Sequence, residues 1–315
     1  MSSILITGGA GFIGSHLAEQ LVKAGHNVVV MDNLFLGTED NLKAIRESIV
    51  FYKHGYEDKA FLLGIVKKHR IEYIYHLAGY SSAPMFDGKE AHGMMMNVVG
   101  FIGLLDVCRD MNVKRLMYAS SSSIYGDAKF QVEDAKVKPP NFYALSKYAM
   151  EHAARLYFDL YKVQSIGYRF FSVYGRNEVH KKQFANLISQ FLWAIEAGKD
   201  VVIYGDGTQS RDFIYVLDLC NALILGMKAG ECYARAGVYN VGTSETFNLN
   251  DMIDVLEEMT GKKALRKYVA NPIKNYVTVT KADTAKAKRD LGFVPQFSLK
   301  QGISHLVSAR KIIHS

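Results

Sequence analysis

Four residue groups in this 315-residue chain have types and spacings that could do chemistry. Gly8, Gly11 and Gly14 lie three residues apart, between an apolar run (Ser3-Ile4-Leu5-Ile6-Thr7) and a helical one opening at Phe12-Ile13. Glycine lets a backbone turn tightly and approach a pyrophosphate, which then rests on the positive end of the following helix. The spacing differs from the commoner G-x-G-x-x-G, and such turns also occur without a ligand. Asp32 ends the next apolar run, where an acid about 20 residues past the glycines would hold a ribose hydroxyl pair. A carboxylate there repels a 2′-phosphate, which favours NAD over NADP. Tyr143 and Lys147 stand at i and i+4, on one helix face. An ammonium beside a phenol favours the phenolate, which predicts a lowered pKa for Tyr143 and a general base near neutral pH. Finally, Ser120-Ser121-Ser122-Ser123 follows an apolar run directly. Hydroxyls at the carboxyl end of a core strand can bond a substrate oxygen and the Tyr143 phenol.

The elements that must position these groups alternate. Strand patterns are expected over 4–7, 27–31, 49–52, 73–77, 115–120 and 165–171, with helices over 13–24, 60–69, 98–111 and 143–161 between them. Such alternation predicts an α/β fold, a Rossmann-type doubly wound parallel sheet. After about residue 174 the pattern loosens: helices over 183–197, 218–228, 249–260 and 299–313, with strands over 201–204 and 238–241. We therefore expect a Rossmann domain over 1–175 and, over 176–315, a smaller mixed α/β substrate-binding lobe that returns to the main sheet. Ligands should bind in the cleft at the carboxyl ends of the strands.

Bulk properties narrow the class. Hydrophobic residues make up 49% and charged residues 22%, ordinary for a soluble globular protein. The net charge is +7, but Lys and Arg are dispersed and form no basic helix or zinc-finger spacing, so nucleic-acid binding is not expected. Cys108, Cys220 and Cys232 form no C-x-x-C pair, and the ten histidines show no metal spacing. His180 reads as a solvated loop residue. No apolar run approaches 18 residues and no basic leader is present, so a cytoplasmic protein with no membrane span is expected.

The motifs occur in an order that resembles the extended short-chain dehydrogenases/reductases, in the NAD-dependent epimerase/dehydratase group. They run as Thr7-Gly8-Gly9-Ala10-Gly11-Phe12-Ile13-Gly14, Asp32-Asn33, His76-Leu77-Ala78-Gly79, Asn97, the serine run with Tyr125-Gly126, and Tyr143-x-x-x-Lys147. Then follow Arg169-Phe170-Phe171-Ser172-Val173-Tyr174-Gly175, Tyr204-Gly205-Asp206-Gly207, Arg211-Asp212-Phe213 and Asn240-Val241-Gly242. The resemblance covers nearly the whole chain. It implies a catalytic set of Ser121, Tyr143 and Lys147, with Lys147 also bonding the nicotinamide ribose. It implies NAD held by Gly8, Gly11, Phe12, Ile13, Gly14, Asp32, Asn33, Leu77, Ala78, Gly79, Asn97, Phe170 and Val173. For a nucleotide-sugar substrate it implies Ser81, Ser122, Ser172, Asn186, Leu187 and Tyr204, with Arg211 and Lys274 at the diphosphate. Helices matching 98–111 and 143–161 pair across a two-fold axis in that family, so a homodimer is expected.

Within the family, Ser122 and Ser123 stand where dehydratases carry an acidic pair and decarboxylases a glutamate. Without an added acid or base, elimination and enolisation lack a catalyst. What remains is oxidation and re-reduction at one carbon, a 4-epimerisation of a UDP-hexose in which the cofactor is retained. A nucleotide-sugar reductase or dehydratase that releases its cofactor, and a non-catalytic dinucleotide sensor, are the alternatives. Three departures stand out. Gly55 occupies the family's adenine-binding Asp position, leaving backbone, Tyr56 or Asp58. Ile273-Lys274 replaces an Arg-containing diphosphate motif. Thr280 replaces a bulky Tyr, which makes room for an N-acetyl group.

Overall fold

The computed structural model describes residues 1–272 and 277–314. The first half follows the expected alternation: β1 (Ser3–Thr7), α1 (Phe12–Lys23), β2 (Asn27–Asp32), β3 (Ile49–Lys53), α2 (Lys59–His69), β4 (Tyr73–His76), α3 (Glu90–Met94), α4 (Gly100–Asp110), β5 (Arg115–Ser121), α5 (Phe142–Tyr161) and β6 (Ser165–Phe170). Past β6 come β7 (Ser172–Tyr174), α6 (Leu187–Glu196), β8 (Asp200–Tyr204), β9 (Ser210–Arg211), β10 (Phe213–Tyr215), α7 (Val216–Lys228), β11 (Arg235–Val241), β12 (Phe247–Asn248), α8 (Leu249–Thr260), β13 (Leu265–Val269), α9 (Ala285–Leu291) and α10 (Leu299–His314).

Seven parallel strands form the main sheet in the order β11-β6-β5-β4-β1-β2-β3. The chain leaves β1 toward one edge and returns at β4 toward the other. Loops on the two sides of this switch point diverge and leave a crevice at the carboxyl ends. The strands are apolar on both faces, with Ile4, Leu5, Ile6, Val30 and Ile74 fully buried, as a sheet covered on both sides requires. α1, α6, α7, α8 and α10 pack into the core on one face, and α2, α4 and α5 into the core on the other.

The second half is not a detached lobe. β11 extends the main sheet beside β6, and Cys220 of α7 lies in the α1-side core. β13 pairs parallel with β8, and β12 antiparallel with β9. α3 and α4 are joined through a π-helical stretch, Met95–Val99, into one 21-residue helix, Glu90–Asp110, long and apolar enough to cross a membrane. That corrects the expectation that no run of this length exists. The expectation missed it because the first turn, Glu90-Ala91-His92-Gly93, is largely polar or glycine. Here Phe101, Leu104, Leu105 and Val107 are buried against neighbouring helices and the sheet.

Candidate active site

The glycine turn is built for a close neighbour on one side. Gly8 has φ of +74°, and a Cβ there would lie 2.6 Å from the Ala78 nitrogen. A Cβ on Gly14 would lie 2.2 Å from the Gly8 carbonyl oxygen, so α1 can start this close to β1 only with glycine. Gly11 differs: its Cβ would meet only the Gly8 oxygen, at 3.2 Å, and the residue lines the crevice. Gly11 caps α1 without a side-chain bond, and no acidic residue occupies the first turn. The N-terminus of a 12-residue helix thus points its unpaired N–H groups into the crevice, an anion site by construction.

Two cavities open from there. One, of about 1040 Å³, runs from Gly8, Gly11, Phe12, Ile13 and Gly14 past Asp32 and Asn33 to His54, Gly55 and Tyr56, with Leu77-Ala78-Gly79 along its floor. The other, of about 1100 Å³, holds Ser121, Ser122, Tyr143, Lys147, Phe170, Ser172, Val173 and Asn186. Phe12, Ile13, Leu77, Ala78, Gly79, Ser81 and Lys181 line both, so the two are halves of one cleft. The first half fits a dinucleotide: a glycine cradle, a helix N-terminus and an acid at the far strand end. Asp32 is nearly buried and accepts hydrogen bonds from the Ala10 and Leu34 N–H groups at 3.0 and 2.8 Å. Burial pushes its carboxyl up, and those N–H bonds, with one from Gly11, pull it down.

In the second half, α5 lays three side chains along the end of β5. Tyr143 is hydrogen-bonded to Ser121. Lys147, one turn on, donates to the Ala119 carbonyl at 2.9 Å. Glu151, a further turn on, accepts from the Ser120 hydroxyl at 2.5 Å. Residues i, i+4 and i+8 of one helix face therefore fix three consecutive strand residues. The helix begins sharply because the Asn141 side chain accepts from the Ala144 N–H. The expected lowering of the Tyr143 pKa is not what this structure has. Burial pushes the phenol up to about 12, opposed by the Ser121 bond, because the Lys147 ammonium is bonded to a carbonyl rather than to the phenol. Burial also brings Lys147 down to about 8. Its ammonium is still charged at pH 7.

Other expected residues are placed differently. Asn97 lines neither half: it is buried, accepts from the Tyr80 N–H at 2.8 Å and donates to the Tyr80 carbonyl and Ser146 hydroxyl, bracing the Gly79-Tyr80 floor. Asn186 lines the catalytic half while capping α6 through Ile188 N–H and holding the Val173 carbonyl. Leu187, Tyr204, Arg211 and Thr280 lie outside the lining. Arg211 donates to the carbonyls of Ser210, Thr278 and Val277. Thr280 takes a long bond, 3.4 Å, from the Asp212 N–H. Lys274 lies outside the described residues. Of the adenine-end candidates, Tyr56 lines the cavity while donating to the Met96 carbonyl, whereas Asp58 is engaged as the cap of α2. His54, Phe35, Met96, Phe184 and Lys181 line the cleft and were not singled out in the sequence. Lys181 is the neighbour of His180, which lines neither half.

Known proteins are similar to this chain over nearly its whole length. A UDP-glucuronate 4-epimerase of Thermodesulfobacterium geofontis is 33% identical, over 99% of this chain and 97% of that protein. The crystal structure of a UDP-glucose 4-epimerase of Thermotoga maritima with UDP-glucose superposes with a TM-score of 0.91 at 29% identity, covering 99% of this chain and 100% of that one. A UDP-glucuronic acid 4-epimerase of Bacillus cereus, solved with UDP-glucuronic acid and NAD, gives 0.89 at 26%, covering 99% of each. The family model for the NAD dependent epimerase/dehydratase family matches residues 4–242, and the chain belongs to that family.

Proposed function

We propose that this chain is an NAD-dependent nucleotide-sugar 4-epimerase acting on UDP-hexoses and their uronates. One observation carries the reading: Ser121, Tyr143 and Lys147 converge in a half-cleft continuous with the glycine cradle, and no carboxylate among the described residues lines that half. An elimination would need such a group. A dinucleotide held by the glycine cradle and Asp32 would supply the hydride acceptor and donor for this site. The chain's own part is to move one proton and hold one oxygen. Burial holds the Tyr143 phenol protonated in the protein without dinucleotide, so Tyr143 would act as the base only as phenolate, once a positive nicotinamide ring and the Lys147 ammonium offset that burial. Its oxygen would then take the proton of the C4 hydroxyl and return it after the sugar has turned over. The Ser121 hydroxyl steadies the C4 oxygen throughout. The Lys147 ammonium, held by the Ala119 carbonyl, keeps positive charge near the base. Asp32 favours NAD over NADP, because a 2′-phosphate would meet a buried carboxylate. Replacing Tyr143 by Phe tests the scheme: turnover should vanish while NAD stays bound, and unchanged turnover would sink it.

A homodimer is part of the same reading. Val99, Ile102, Leu156 and Leu160 leave an apolar face on the Glu90–Asp110 helix and α5 exposed, and a second copy would cover it. A monomer by light scattering at micromolar concentration would contradict this. A cytoplasmic location is also proposed, supported by three free cysteines.

A further inference from the structure

Lys181 is fixed in place with unusual care for a surface-loop lysine. It lies in the 3-10 turn Val179–Phe184, next to Lys182, whose φ of 49° and ψ of −125° break the helical path. Its ammonium lies 3.3 Å from Oε1 of Glu178, a carboxylate with no solvent exposure. Glu178 is itself pinned, accepting from the Asn186 N–H at 3.0 Å and the Ser189 hydroxyl at 2.5 Å. The Lys181 ammonium also sits 5.3 Å from the centre of the Phe12 ring, at the first residue of α1. An ammonium has three donors, and one carboxylate oxygen uses one of them. Among the described residues no second acceptor faces it. The residue lines both halves of the cleft, at the point where they meet.

We propose that Lys181 is a ligand-binding residue whose ammonium holds an anionic oxygen at the junction of the two halves, from a sugar carboxylate or from the dinucleotide diphosphate. The buried Glu178 aims the cation without satisfying it. A lysine there as a mere structural partner of Glu178 would be expected to point away from the ligand space. This inference rests on the nucleotide-sugar reading for its sugar arm only; the dinucleotide arm stands on the cradle.

The test compares wild type with Lys181→Gln and Lys181→Arg. First, retained NAD per protomer is measured after gel filtration. Second, calorimetry follows binding of UDP-glucuronate and of UDP-glucose. Loss of a charge-assisted contact should weaken the ligand that uses it by about tenfold or more in the Gln variant, with Arg restoring most of it. Weakening of UDP-glucuronate but not UDP-glucose identifies the sugar carboxylate. Loss of retained NAD identifies the diphosphate. Equal values for wild type and Lys181→Gln in every arm, with matching circular dichroism, would overturn the proposal. If wild type binds neither UDP-sugar, the 4-epimerase reading fails, and the NAD arm alone decides for Lys181.

Discussion

Replacing Arg169 by Met removes the positive partner of a carboxylate that has almost no water. The guanidinium on β6 donates from Nε and Nη2 to the two oxygens of Glu151 on α5, at 2.9 and 2.6 Å. Its Nη1 donates to the Tyr125 hydroxyl at 2.9 Å and the Glu133 carbonyl at 3.2 Å. The two side chains are only 5% and 6% exposed, so neither charge can turn to solvent when the other goes. A single replacement at either position should cost about 3–5 kcal/mol. Replacing both by Met should recover most of that, because an apolar pair of similar volume leaves no buried charge. The assay is urea unfolding followed by far-UV circular dichroism on wild type, both single variants and the double. The same pair also reaches the chemistry, since the Glu151 oxygen holds the Ser120 hydroxyl beside Ser121. Turnover of Arg169→Met should fall by on the order of 100-fold from displacement of Ser121 by about an ångström. Losses under about 1 kcal/mol in both single variants, the range of an exposed pair, would refute the reasoning, as would additive losses in the double.

Further outcomes follow from other parts of the structure. Gly14→Ala should lose about 1–3 kcal/mol or more of stability, and retained NAD with it, because its Cβ would press on the Gly8 backbone; a fully stable, NAD-replete variant contradicts that. In protein stripped of dinucleotide, wild type and Tyr143→Phe should show the same phenolate absorbance per protein molecule up to pH 10, since burial holds the Tyr143 proton to about pH 12; an extra phenolate in wild type below pH 10 refutes it. Burial brings His16 down to about 4 from 6.5, so between those values the unfolded chain binds the proton that the native one refuses. Stability therefore falls as pH drops through this window, and His16→Leu should remove about 1.4 kcal/mol per pH unit of that fall, measured by urea unfolding at pH 6 and 5.

Local patterns were legible in the sequence and long-range partnerships were not. The six strands from β1 to β6 could be read because each is a short apolar run closed by glycine or polar residues. The glycine turn, Asp32 and the Tyr143–Lys147 pair could be read because one element carries each chemistry. β13 escaped because Leu265–Val269 is mostly solvent-facing and finds its partner β8 about 65 residues away, so it shows no buried period. Arg169 was noticed within a motif, but its partner Glu151 lies on the preceding helix with nothing in the local sequence to mark it. Lys181 escaped for a related reason: only the turn through Lys182 and the buried Glu178 bring it over α1. The Tyr143 pKa was misjudged because i,i+4 spacing sets neighbourhood, while burial and the Ala119 carbonyl set which group the ammonium serves.

The central claim is tested most directly by incubating the purified protein with UDP-glucose, UDP-glucuronate and UDP-N-acetylglucosamine, no cofactor added, and following products by NMR. Inversion at C4 of at least one of them, with no net NADH at 340 nm, is the predicted result. Stoichiometric NADH release, or no conversion of any UDP-sugar by protein that carries bound NAD, would contradict it.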